Sequence, residues 1–109
     1  MEVAVLGRKE TVPDEVRALA HAKVARLGRL NPVIERADVR LSVNRIAPSA
    51  GDQVCEVVLS GHGQTLRAKA VAHDLLVAVD RVVAKLEHQV ERSKGKRVAR
   101  THPRRSRVA

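Results

Sequence analysis

No phenylalanine, tyrosine or tryptophan occurs among the 109 residues. The core must therefore be aliphatic, assembled from valine, leucine and alanine with Ile34 and Ile46. The same lack weighs against reading a loose single strand of RNA base by base, because that task stacks bases on exposed aromatic rings. Five histidines are the only rings on offer. A single cysteine, Cys55, cannot form an internal disulfide, and the first twenty residues hold no continuous apolar stretch ahead of a cleavage site. Both point to the cytoplasm rather than to export. No apolar run approaches the ~20 residues that a membrane span needs, so no membrane partner is expected. The length suits one domain and is too short for two.

Acids are missing from the last fifteen residues, which carry six Lys and Arg; residues 1–94 hold 15 Lys and Arg against all 12 acids. The net charge of +9 thus falls largely on the C-terminal segment. A balance of this kind favours polyanions through counterion release and a general positive field. The reading is one domain over 1–94 and a basic segment, 95–109, without periodicity and expected to be disordered.

Along the chain, residues 2–6 alternate polar and apolar and stop at Gly7, as a short strand does. Pro13, Asp14 and Glu15 open a helix, since proline suits a first turn and acids there suit the helix dipole. Val16, Leu19, Ala20, Val24, Leu27 and Leu30 recur at helical spacing, and the helix should end between Gly28 and Pro32. Residues 35–45 alternate strictly, with Val39, Leu41 and Val43 on one face. After a loop marked by Pro48, Ser49, Gly51 and Asp52, a strand carries Cys55, Val57 and Leu59 inward and closes at Gly61. A tight hairpin at Gly61-His62-Gly63 leads to a strand from Thr65 to Ala72, with Arg67 and Lys69 outward. Asp74 is placed to N-cap a second long helix whose apolar stripe runs from Leu75 to Val90 and which should end near Ser93. The order is β-α-β-β-β-α. Alternating strands need one face covered and each helix has one stripe to cover it, so the fold class is α+β: a two-layer sandwich, a four-stranded sheet with two helices packed on one face.

In the second long helix Arg81, Lys85, His88 and Arg92 are spaced i, i+4, i+7 and i+11, which makes a basic line beside the apolar stripe. Asp80, Glu87 and Glu91 fall on a neighbouring line. Lys23 falls by helical angle within the apolar face of the first helix, where a lysine must snorkel or meet a partner. Arg26 and Arg29 lie near it and could join it on phosphates if the two helices pack side by side. The histidines and Cys55 show no metal-ligand spacing, the acids show no paired arrangement, and Gly61-His62-Gly63 lacks the length and lysine of a phosphate loop. No enzyme, cofactor, metal or small-molecule substrate is expected. Cys55 reads as an inert core residue.

From Asp74 onward the chain resembles the second-helix signature of the ribosome hibernation promoting factor family. Asp74, Ala78, Val79, Asp80, Lys85, Leu86, Glu87, Gln89, Arg92 and Lys94 carry the likeness, with Gly7-Arg8, Lys23 and Leu27, and Leu66-Arg67-Ala68 in agreement. The resemblance spans residues 1–94. It implies a ribosome-binding domain that lodges on the small subunit at the decoding channel, contacts ribosomal RNA, and blocks mRNA and tRNA binding under stress. It also implies RNA contacts at Lys23, Arg26, Arg81, Lys85, Arg92 and Lys94, with Arg8 and Arg67 beside them; Arg29 and His88 join this set from their position on the helices. Leu76 stands where the family often has an aromatic residue, a departure that bears on packing. Long members add a second, dimerising domain, and none is evident after Lys94, as in a short form or an N-terminal domain. Two other readings fit the same charge: an interaction module of this fold for an acidic regulatory partner, and a nonspecific nucleic-acid binder.

Overall fold

The computed structural model describes residues 1–7, 12–43 and 52–101, with side chains through residue 92. Strand β1 (Glu2–Leu6) leads to helix α1 (Asp14–Ala25) and the short α2 (Leu27–Leu30). Strands β2 (Arg36–Val43), β3 (Gln53–Gly61) and β4 (Gln64–Ala72) follow, and helix α3 (Leu75–Thr101) ends the described chain. The four strands lie side by side in chain order. Only β1 and β2 run parallel, which is why a helical crossover must join them. The other two pairings are antiparallel.

Alternation does what its period requires. Ala37, Val39 and Leu41 of β2 pair with Leu59, Val57 and Cys55 of β3, and all six are buried. The helices close over this face with Ala20, Val24 and Leu27 from the α1–α2 segment and Ala78, Val79, Val82, Leu86 and Val90 from α3. The two-layer α+β sandwich expected from the sequence is the observed architecture, with helices on one side of the sheet. Among the described residues no helix is long and apolar enough to cross a membrane.

Three details differ from the sequence reading. The first helix is broken at Arg26, leaving α2 as a separate turn. Leu19, assigned to the apolar face, is 46% exposed, because its helical angle carries it past the edge of the Ala20–Val24–Leu27 stripe. Helix α3 continues to Thr101, well past Ser93, so the backbone through residue 101 is helical where a tail was expected to begin; residues 102–109 lie outside the described residues.

The turns follow local chemistry. Asp74 caps α3, its Oδ1 accepting from the backbone N–H of Leu76 at 2.8 Å and of Val77 at 3.3 Å. His62 and Gly63 both adopt positive φ, 48° and 75°, as a two-residue hairpin turn demands. Glu35 braces that turn by accepting the His62 backbone N–H at 3.1 Å. Buried Asn31 is satisfied by its own turn, Oδ1 accepting from Val33 N–H.

Candidate nucleic-acid interface

Helix α3 packs over β4 and β3, antiparallel to β4, and three of its side chains reach the outer edge of that strand. Arg81 Nη1 donates to the Val71 carbonyl at 3.0 Å, Lys85 Nζ to the Lys69 carbonyl at 2.8 Å, and Gln89 Nε2 to the Arg67 carbonyl at 3.0 Å. The match is commensurate. Four residues advance a helix by about 6 Å and two residues advance a strand by about 6.7 Å, so every helical turn meets the next outward carbonyl.

This contact assembles one cationic strip from two elements. Arg67 and Lys69 are exposed on the open face of β4; Arg81, Lys85, His88 and Arg92 are exposed on the adjoining flank of α3. None of these six makes an ion pair among the described residues. Arg81 and Lys85 spend hydrogen bonds on neutral carbonyls, which fixes their heads without cancelling their charge. Lys69, outward-facing by the alternation of β4, adds to the sequence candidates a cation that helical spacing does not reveal; its place two residues after Arg67 on an alternating strand is the signal.

The first-helix cations are not part of that strip. Lys23 Nζ meets Asp80 Oδ1 at 2.7 Å across the α1–α3 contact, so of the two outcomes open to it, snorkelling or a partner, it finds a partner. Arg26 and Arg29 are exposed near the end of this segment and make no ion pair among the described residues. Helical angle places Asp80, Glu87 and Glu91 on the flank of α3 opposite Arg81 and Lys85, so acids stand between the two groups of cations. Arg8 lies outside the described residues, and Lys94 outside the described side chains.

The open sheet face is mixed in charge. Arg36 binds both Asp38 (2.9 Å) and Glu2 (3.1 Å), and the hydrogen bond and charge of Asp38, followed by Glu2, hold its guanidinium more firmly protonated than usual. Arg40 is exposed beside Leu6 and Glu56 in register. Cys55, fully buried, has its thiol pushed up to about 12 by desolvation, the state of a packing residue rather than a nucleophile. Among the described residues no group of three or more His, Cys, Asp and Glu could hold a metal ion.

Residues 3–98 match the model of the family described as Sigma 54 modulation protein / S30EA ribosomal protein. A curated relative, the ribosome hibernation promotion factor of Mycobacterium tuberculosis (strain ATCC 25618 / H37Rv), is 32% identical over 97 residues, covering 88% of this chain and 44% of its own length. The chain therefore spans less than half of that relative. The Thermus thermophilus Protein Y N-terminal domain superposes with a TM-score of 0.69 at 31% identity, covering 84% of this chain and 98% of that one. A ribosomal subunit interface protein from Coxiella burnetii shares the fold, with a TM-score of 0.74 at 21% identity over 87% of this chain and 99% of that one.

Proposed function

The chain belongs to the Sigma 54 modulation protein / S30EA ribosomal protein family, and from that premise we propose that it is a cytoplasmic, non-enzymatic, ribosome-associated hibernation factor. In this reading it binds ribosomal RNA of the small subunit near the decoding channel and keeps mRNA and tRNA out under stress. The observation that carries the RNA half of the proposal is the strip Arg67, Lys69, Arg81, Lys85, His88 and Arg92, exposed and making no ion pair among the described residues, with Glu56 opposite Lys69 in register as the one acid directly across from it on the sheet.

A row of fixed cations suits phosphates held in a folded RNA. Each phosphate that the strip neutralises releases condensed counterions, and the anchored heads of Arg81 and Lys85 lose less freedom on binding than swinging side chains would. Arg26 and Arg29, with Lys23 once it leaves Asp80, form a second, smaller contact beyond the acidic line; Arg8 and Lys94 complete the proposed set. The ribosomal assignment draws on the M. tuberculosis relative, and the decoding-channel placement on the family resemblance of the α3 sequence.

Co-sedimentation with isolated ribosomal subunits at low and near-physiological salt tests the proposal. The wild-type chain should remain on the small subunit at the higher salt, whereas Lys85→Glu/Arg92→Glu should release it. Arg26→Glu/Arg29→Glu should weaken it less. Unchanged association of the Lys85/Arg92 variant would remove the strip from the mechanism, and equal binding to any RNA would leave only a nonspecific binder.

A further inference from the structure

Helical side chains cover carbonyls at both edges of the sheet, and one of them differs in kind from the rest. At β1, Arg17 of α1 donates Nη1 to the Val5 carbonyl at 3.1 Å and Nη2 to the Gly7 carbonyl at 2.7 Å. At β4, Arg81 and Lys85 donate to the carbonyls of Val71 and Lys69, and Gln89, one turn further along α3, donates to that of Arg67. A cation covers a carbonyl as well as an amide does. What glutamine adds is an oxygen on the same group, because lysine and arginine carry donors only. The contact also fixes how the amide lies: a carbonyl accepts only from the NH2 side, so Oε1 is turned away from the Arg67 carbonyl. Gln89 is half-buried, yet no buried side-chain nitrogen or oxygen lacks a partner among the described residues. Oε1 accepts no hydrogen bond among them and is therefore open to solvent.

We propose that Gln89 is the residue by which this surface tells RNA from DNA, its Oε1 accepting a hydrogen bond from a ribose 2′-hydroxyl. The proposal rests on the RNA-binding reading above and adds to it the sugar chemistry of the partner. The cations of the strip attract the phosphates of either nucleic acid, so they cannot separate the two. A deoxyribose-phosphate backbone presents acceptors and no donor, whereas every ribose adds a hydroxyl that can donate. An acceptor held among cations thus finds nothing to bind on the backbone of DNA and a donor at each sugar of RNA. Within the strip only His88 could also accept, through a ring nitrogen, and among the described residues no hydrogen bond anchors that ring. Gln89 is anchored, and it stands one turn after Lys85 and three residues before Arg92, both exposed. Phosphates drawn to these two cations would carry the adjoining ribose to the amide.

Fluorescence anisotropy of the full chain at low salt, with two stem-loops of one sequence, tests this. One is native RNA; the other carries 2′-fluoro riboses, which keep the A-form shape and the charge but cannot donate. Wild type should bind the native stem-loop about fivefold more tightly, the worth of one neutral hydrogen bond. Gln89→Leu should lose that preference by weakening the native RNA alone, and Gln89→Met, which keeps the length of the stem, should do the same. Lys85→Met should weaken both ligands equally and keep the preference. A Gln89 that served only to cover the β4 edge would move both ligands together, so a variant at this position that does so, while folded by circular dichroism, overturns the proposal. Equal affinity of wild type for the two stem-loops overturns it without any variant having to fold, and leaves the RNA-binding reading standing. Wild type that binds neither stem-loop overturns both.

Discussion

Gly61 is fixed by what surrounds it rather than by its own dihedrals. A Cβ at this position would stand 2.1 Å from the Val33 carbonyl oxygen and 2.8 Å from the Glu35 nitrogen, both backbone atoms that cannot swing aside. Gly61→Ala should therefore cost about 3 kcal/mol, seen as a fall of roughly 10–20 °C in the thermal midpoint by circular dichroism. From the sequence Gly61 marked the end of a strand. That it is also the point where the 31–35 loop presses on the hairpin is a tertiary contact that no local pattern contains.

Cys55 was legible as core because it alternates with Val57 and Leu59, and its burial gives it a pH signature. The folded thiol is pushed up to about 12 from its ordinary value of 9.0. Between these values the unfolded chain has lost the proton while the folded chain keeps it. The contribution is thus fully present below pH 9 and declines as pH rises toward 12, by about 1.4 kcal/mol per pH unit at most. Urea unfolding of wild type and Cys55→Ala across pH 8–11 should show a steeper loss for wild type, and parallel curves would deny the thiol this role. No tyrosine titrates in the same range to confuse the comparison.

At the scale of elements, α3 sorts its charges by flank: cations toward β4, acids away from it. Lys23 is tied to Asp80 with its side chain 31% exposed and that of Asp80 58% exposed, a pair too wet to stabilise the fold by more than about 1 kcal/mol. Asp80→Asn should leave the melting temperature nearly unchanged and tighten RNA binding about threefold at low salt, as Lys23 becomes available to phosphates and a repelling acid is lost. Filter binding to structured RNA would show it; an unchanged affinity would place Lys23 outside the interface. Helical spacing made the basic line from Arg81 to Arg92 readable before any fold was known. Spacing fixes side chains relative to one another on one helix, but it does not say which neighbour each flank meets. The line could equally have faced α1. The Asp74 cap, the strand alternation and the hairpin turn were readable because each rests on local geometry. The break at Arg26, the exposure of Leu19 and the Arg17 contact with β1 depend on packing between elements, and the sequence carries no local mark of them.

For the molecule as a whole, the aliphatic composition sets a limit on what the cationic strip can recognise. With no aromatic side chain to stack a base, attraction to an unstructured strand rests on charge alone, whereas a folded RNA offers phosphates at fixed positions to a fixed row of cations. Polyuridine should therefore compete poorly against structured ribosomal RNA at near-physiological salt in a displacement assay. Equal competition at matched phosphate concentration would return the chain to the class of nonspecific binders.

The sheet's spatial order is its chain order. Three neighbouring strands can zip together by closing short stretches of chain, starting from the His62-Gly63 turn, and each closure costs little entropy. β1 is different, since its parallel pairing must wait for the whole α1–α2 crossover to find its place. The N-terminal strand is thus expected to be the last part of the sheet to commit during folding, and its amides should exchange with solvent before those of β3 in native-state hydrogen exchange. On that expectation the α3–β4 flank that bears the cations rests on the part of the sheet with the shortest closures, and loosening of β1 would leave it in place.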